Sequence, residues 1–309
     1  MKILFVSSGN SKNGISPIIK NQGESLKEQG LELDYFTIKG KGVKGYLKSI
    51  STLKGYLKDN GSYDVIHAHY WLSAIVASLA GSKPMVVSLM GDDVKAKRWF
   101  KWIIYFFNFF SWSTIIVKSK DMYDSLGLKK AHIVANGIDM NRFKPIDQSV
   151  AIKELGWDSE KRHILFTSNP QRVEKNFKLA KEAVDIINDD SLELHYLKDI
   201  PNEKIFYYYN ASDVVVLSSL WEGSPNAIKE SMACSRPIVS TDVGDVKDVL
   251  SKTAGCYIST FEPKDMASKI EKALKFKEQT TGREDIQYLK SELVAKKIVE
   301  IYNSVKGKV

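Results

Sequence analysis

Strand-like apolar runs alternate with amphipathic stretches along the whole chain, and this alternation restricts the fold to an α/β architecture built on parallel sheets. Strands are predicted near residues 2–7, 31–37, 64–67, 85–89, 114–118 and 131–134, with helices between them. A second series is predicted near 162–168, 191–197, 213–218, 237–241 and 255–258, and the segment NGIDMNRFKPI separates the two series. Two runs of comparable length predict two doubly wound, Rossmann-like domains facing each other across a cleft, with ligands at the carboxyl ends of the strands. The length of 309 residues agrees, because single cores stop growing near ~250–300 residues.

Composition narrows the setting. No run approaches the ~20 apolar residues of a membrane span, and the stretch Ile3 to Val6 is too short for a signal-peptide core, so a cytoplasmic location is expected. Cys234 and Cys256 both lie in apolar stretches, which favours buried reduced thiols over a disulfide or a structural zinc site. Residues 1 to 145 hold 21 Lys and Arg against 11 Asp and Glu, so the +8 net charge is concentrated in the first half. That asymmetry points to an anionic partner. Within residues 95 to 112, Lys95, Lys97, Arg98 and Lys101 precede or interleave with Trp99, Trp102, Tyr105, Phe106, Phe107, Phe109, Phe110 and Trp112. Two readings are open: an interfacial helix on an anionic membrane surface, or a core-facing helix with a solvated basic end. Nothing beyond these aromatics suggests base stacking, so no nucleic-acid partner is expected.

The segment Trp221-Glu-Gly-Ser-Pro-Asn-Ala-Ile-Lys-Glu-Ser-Met-Ala-Cys234 carries two carboxylates, Glu222 and Glu230, on either side of a predicted helix start. Ser224 suits an N-cap and Pro225 the first helical position, which leaves the amides of the first turn directed outwards, where they attract an anion such as a diphosphate. One carboxylate can hold hexose hydroxyls and the other ribose hydroxyls. In the turn after the strand near 162–168, Arg172 and Lys175 can neutralise the same diphosphate, or they are solvated loop charges. In the first half, Ser7 to Gly14 joins the first strand to its helix, and Gly9 and Gly14 permit close backbone approach to a ligand. His69 is expected in a loop at the cleft edge, after His67 has ended a strand; a structural histidine is the alternative for each.

The motif EGSPNAIKE, followed by SMACSRPIVSTDVGDV, resembles the signature of the retaining family-4 glycosyltransferases, glycosyl transferases group 1, which have the GT-B fold. NASDVVVLSS, VANGIDMNRFKP, DVIHAHYWLSA and the opening KILFVSSGN fall in the family's order, so the resemblance covers nearly the whole chain. It implies an acceptor-side domain over residues 1–140, a nucleotide-sugar domain over 141–283, and a helix over 284–309 that crosses back to the first domain.

The resemblance further implies transfer of a hexose from a UDP- or GDP-sugar to an acceptor hydroxyl with retention, without a metal or other cofactor. Glu222, Lys175, Arg172 and His69 are then the expected catalytic residues, and Gly14, Gly223, Ser224, Asn226 and Glu230 the donor-binding ones. Lys175 and Asn176 match the family's Gly-Arg-Leu-x-x-Glu-Lys-Asn turn in register, whereas Pro170 stands at the family's arginine and Arg172 is displaced. Met90 replaces a family histidine that contacts the transferred sugar. Asp92 and Asp93 read as a loop cap, and Lys198 to Glu203 as the base-reading loop. The expected acceptor is lipid-linked or a saccharide, in surface polysaccharide or glycolipid assembly, with the protein in the cytoplasm or peripheral at the inner membrane face. A glycoside hydrolase, which also uses two carboxylates, and a non-catalytic sugar-nucleotide-binding subunit are the alternatives.

Overall fold

The computed structural model describes residues 1–10, 14–40, 42–91, 98–250 and 252–307, without the side chains of residues 42, 43 and 98–100. The chain forms two compact units, Met1–Gly137 with Ser291–Val309, and Ile138–Lys290.

The first unit holds six strands in the order β2-β1-β3-β4-β5-β6. These are β1 Lys2–Ser8, β2 Glu32–Ile38, β3 Val65–His69, β4 Met85–Ser88, β5 Thr114–Val117 and β6 His132–Ile133, and every pairing is parallel. Strand β1 is apolar on both faces because both are covered: Leu4 and Val6 enter one core with Ile66, Val87 and Leu126, while Ile3 and Phe5 enter another with Ile19 and Ile298. Helices α1 Pro17–Lys27 and α13 Ser291–Val305 supply that second core. The other face is covered by α2 Gly42–Asp59, α3 Trp71–Leu79, α4 Arg98–Phe110 and α5 Lys120–Leu126.

The helix predicted from residue 284 begins only at Ser291. Residues Gly282–Asp285 form a separate short helix, α12, and Gln287–Leu289 a 3-10 turn, and both belong to the second unit. The break arises because Leu289 is buried and its carbonyl accepts from the Ile138 amide at 2.8 Å, after which Lys290 is extended.

The second unit holds β7 Arg162–Phe166, β8 Leu192–Tyr196, β9 Val214–Leu217, β10 Ile238–Thr241 and β11 Cys256–Ser259 in the order β11-β10-β9-β7-β8, again all parallel. The remaining helices are α6 Gln148–Leu155, α7 Phe177–Ile187, α8 Ile205–Ala211, α9 Asn226–Ala233, α10 Val246–Leu250 and α11 Pro263–Lys275. Ile164, Phe166, Val214 and Val216 pack with Leu179 and Ala183 of α7 and with Met266 and Ile270 of α11. The segment predicted as a linker is stitched to this unit from residue 139 onward. Asp139 Oδ1 accepts from the amides of Asn141 and Arg142, and the Arg283 guanidinium donates to the carbonyls of Met140, Phe143 and Ala233 at 2.7–2.9 Å.

Candidate active site

In the second sheet the order of connection reverses at β7, which lies between β8 and β9. A reversal of this kind opens a crevice at the carboxyl ends of the two strands that flank it. The loop after β7 carries a 3-10 turn, Val173–Lys175, ended by Asn176 at φ 53°, a left-handed conformation that asparagine tolerates. The loop after β9 is laced to it. Ser218 Oγ donates to the carbonyls of Lys175 and Asn176 at 3.1 and 2.9 Å, and the Leu220 amide donates to the Glu174 carbonyl at 2.9 Å.

These bonds bring two of the four predicted catalytic side chains together. The Lys175 ammonium donates to Glu222 Oε1, and Ser219 Oγ donates to the same oxygen at 2.8 Å. Both charged side chains are largely enclosed, at 16% and 15% exposure, so their mutual attraction is less screened than that of a surface pair. The turn's other predicted residue, Arg172, points elsewhere. It pairs with Glu174 at 2.6–2.7 Å and is 55% exposed.

The helix after Glu222 begins one residue later than expected. Ser224 does not cap it: α9 starts at Asn226, and the capping position is Pro225, which makes no side-chain cap bond. The Ser224 hydroxyl is already committed, donating to Asp245 Oδ2 at 2.5 Å and accepting from the Lys229 ammonium. Lys229 is 1% exposed and lies 3.3 Å from Asp245. Burial holds its pKa below the usual lysine value, against the opposing pull of Asp245. Lys229 and Asp245 escaped the sequence reading; the available signal was a lysine on the helical face that Met232 and Ala233 turn to the core. Gly244 lets the two loops touch, since a Cβ on it, at φ +63°, would sit 2.6 Å from the Gly223 carbonyl oxygen.

Glu230 is the fifth residue of α9 and is partly buried. The Tyr209 hydroxyl donates to its Oε2 at 2.7 Å. Desolvation raises the Glu230 pKa, opposed by that hydrogen bond and by the charges of Arg142 and Lys229. Arg142 also donates to the Asn202 carbonyl in the predicted base-reading loop. Thus Lys175, Glu222, Gly223, Ser224, Asn226 and Glu230 form one contiguous set at the carboxyl end of the second sheet.

The predicted residues of the first unit are arranged differently. His69 lies in no loop: β3 runs through it, because His69 pairs in register with Ser88 of β4. It is 1% exposed, and neither ring nitrogen has a hydrogen-bond partner. Burial, reinforced by the Lys118 charge, pushes its pKa down to about 3. The ring stacks on His67, with centroids 4.2 Å apart, and meets Phe5 at 4.6 Å. His67 is itself fixed by Tyr302 at 2.6 Å and Ser88 at 2.8 Å. Gly14 has φ 76°, with open space around a would-be Cβ, so backbone conformation rather than crowding calls for glycine there. Met90, partly buried, follows β4. Asp92, Asp93, Lys95 and Lys97, and the side chains of Arg98 and Trp99, lie outside the described residues.

Helix α4 has two faces. Ile104 is buried and Tyr105 and Phe107 pack on the core, while Trp102, Phe106, Phe109 and Phe110 are 57–81% exposed. Lys101, one of the four basic residues of this stretch, donates to the Ser125 carbonyl.

Comparison with known proteins agrees with this fold. A family model described as Glycosyltransferase Family 4 matches residues 13–142, and one described as Glycosyl transferases group 1 matches residues 180–275. A Bacillus subtilis (strain 168) protein named as a teichuronic acid biosynthesis glycosyltransferase, TuaC, is 26% identical over 218 residues, covering 61% of this chain and 56% of that protein. An Escherichia coli UDP-Gal:alpha-D-GlcNAc-diphosphoundecaprenol alpha-1,3-galactosyltransferase is 26% identical over 250 residues, covering 64% and 62%. The chain thus spans less than two thirds of the length of these curated relatives. Among solved structures, sucrose-phosphate synthase from Thermosynechococcus elongatus superposes with a TM-score of 0.83 at 16% identity, covering 100% of both chains. With the two family models falling in order on two parallel-sheet units of GT-B type, the chain belongs to the family-4, group 1 glycosyltransferases.

Proposed function

We propose that the chain transfers a hexose from a nucleoside-diphosphate sugar to an acceptor hydroxyl, with retention of the anomeric configuration. The observation that carries this reading is the Lys175–Glu222 pair beside the first turn of α9. It offers a donor both signs of charge side by side: an ammonium and helix amides for the diphosphate, and a carboxylate for sugar hydroxyls. As the glycosidic C–O bond breaks, negative charge grows on the leaving phosphate, and Lys175 with the α9 amides opposes it. The acceptor oxygen bonds to the anomeric carbon from the same face, its proton passes to the leaving phosphate oxygen, and the nucleoside diphosphate departs. Glu222 positions the hexose, and Glu230 accepts from the ribose. No metal is part of this reading, as the family resemblance implies.

The galactosyltransferase named above acts from UDP-Gal onto a lipid diphosphate, which supports a uridine donor and a lipid-linked acceptor here. The exposed aromatic face of α4 supports the same setting. Trp102 and Phe109, at 74% and 81% exposure, would enter the interface of an anionic membrane, close in sequence to the basic residues Lys95, Lys97 and Arg98. No described helix is long and apolar enough to cross a membrane; the attachment proposed through α4 is peripheral, at the inner face where nucleotide sugars are available.

The experiment is a panel of nucleotide sugars, with and without lipid-linked acceptors, assayed for nucleotide release and for the linkage formed. Acceptor-dependent release with an α-configured product is expected from an α-configured donor. Equal release without acceptor would indicate hydrolysis, and donor binding without release a non-catalytic subunit.

A further inference from the structure

Strand β7 and the edge strand β8 pair in parallel with His163 opposite Glu193 and Leu165 opposite His195. Residues 163, 193 and 195 therefore share one face of the sheet, while Ile164, Leu192 and Leu194 turn to the core on the other. His163 is the second residue of β7, far along the strand from the loop that bears Lys175.

The hydrogen bonding fixes which atoms face one another. His163 Nε2 lies 3.0 Å from the Asp158 carbonyl oxygen. A carbonyl can only accept, so this nitrogen carries the proton and Nδ1 presents a lone pair. That lone pair meets His195 Nε2 at 3.1 Å and Glu193 Oε2 at 3.7 Å, and the third side of the triangle, His195 Nε2 to Glu193 Oε2, is 3.5 Å. A point equidistant from the three atoms lies about 2.0 Å from each, which is the bond length of Zn–N and Zn–O contacts.

A purely hydrogen-bonded triad accounts for the 3.1 Å contact through one shared proton. It leaves Glu193 Oε2 at 3.5 and 3.7 Å from the two nitrogens, too long for a hydrogen bond to either, while Lys161 Nζ holds the other carboxylate oxygen at 3.4 Å. Those separations match the edges of a coordination polyhedron. Supporting groups hold the rings in place, as outer-shell partners do at metal-binding histidines. The Asp158 carbonyl sets the His163 tautomer, and Trp157 lies flat on His195 with centroids 3.6 Å apart and planes 6° apart.

We propose that His163, Glu193 and His195 bind a divalent transition-metal ion of the zinc type, with the fourth position open to water. Two imidazoles and a carboxylate favour zinc, cobalt, nickel or copper over magnesium or calcium. The ion fastens edge strand β8 to β7. Its role is structural, independent of the transfer chemistry proposed above.

The test is calorimetric titration of tag-free, chelator-treated full chain with zinc chloride, repeated with magnesium chloride, alongside cobalt(II) absorption. One zinc per chain, no magnesium binding, visible cobalt bands of four-coordinate intensity and a zinc-dependent rise in melting temperature are expected. His195→Ala and Glu193→Gln, both at partly exposed positions, should each weaken zinc binding about tenfold or more and abolish the melting shift. His132→Gln, at an exposed histidine of the other unit, should change nothing. Circular dichroism confirms that each variant is folded. Absence of zinc binding, magnesium binding of equal strength, or zinc binding unchanged in both folded site variants would overturn the proposal. A failure of glycosyl transfer would leave these readouts unaffected.

Discussion

The Lys175 ammonium donates to Glu222 Oε1 across 47 residues of sequence, and it does so because β7 and β9 are neighbours although β8 lies between them in the chain. The pair is the product of a sheet whose order of connection reverses at that point.

Removing one partner of this pair harms transfer through the other. Lys175→Ala should lower kcat by about 10²–10³, the scale of a lost transition-state donor, while Arg172→Ala, at an exposed position already paired with Glu174, should stay within about threefold of wild type. Steady-state kinetics with a saturating donor check this. Near-normal turnover in Lys175→Ala with an inactive Arg172→Ala would hand the role to the arginine.

Glu230→Ala should raise the donor KM more than it lowers kcat, because a ribose contact is made equally in ground and transition states. Glu230 accepts most strongly, and with both oxygens, when ionised, and its pKa is raised. Donor affinity should therefore begin to fall, as pH is lowered, at a higher pH than for an ordinary glutamate. Tyr209→Phe removes a hydrogen bond to the charged form and should move that limb of the pH profile further upward. An unmoved limb would separate Glu230 from donor binding.

Asp245→Asn should destabilise the fold by about 3–5 kcal/mol, since it leaves the Lys229 charge buried without its counter-ion. Pairing it with Lys229→Met should recover much of the loss. Urea unfolding of both variants gives the comparison, and a double variant as unstable as the single one would show that the pair is not coupled.

The His69 pKa of about 3 lies below the ordinary histidine value of 6.5. The unfolded chain therefore binds a proton there that the folded chain refuses. The stability associated with the neutral ring is fully present above about pH 6.5 and is lost as pH falls towards 3, by on the order of 5 kcal/mol over the whole span. His69→Leu should flatten the acid side of the stability profile, measured as urea midpoints at successive pH values. An acid limb as steep as wild type would assign the acid sensitivity to other groups.

Exposed aromatics on α4 should carry membrane binding. A folded Trp102→Ala/Phe109→Ala variant should sediment with anionic vesicles at least about a hundredfold less tightly, given about 1.5–3 kcal/mol for each large apolar side chain withdrawn from water, and added salt should weaken the wild type. Equal sedimentation of the two proteins at low salt would exclude this helix as the anchor.

The eleven strands of the described residues were legible, with ends shifted by at most two residues; those covered on both faces, such as β1, β4 and β9, leave a continuous apolar signature in the chain. The carboxylate motif was legible for a related reason. Glu222 and Glu230 are neighbours along the chain, so local spacing alone put them at one helix start. What sequence by itself could not decide was which distant groups would meet. It placed Ser224 as a helix cap, but Asp245 arrives from the next loop and takes its hydroxyl. It placed His69 in a loop, but pairing with Ser88 draws that residue into the strand and under cover. It set Lys175 against phosphate and Glu222 against sugar without showing that they pair, and it passed over Lys229, Arg283 and the His163–His195 contact altogether. Periodicity and motif spacing record what each residue does with its near neighbours, whereas ion pairs, buried hydroxyls and shifted titrations depend on strand order and loop packing, which exist only once the sheets have formed.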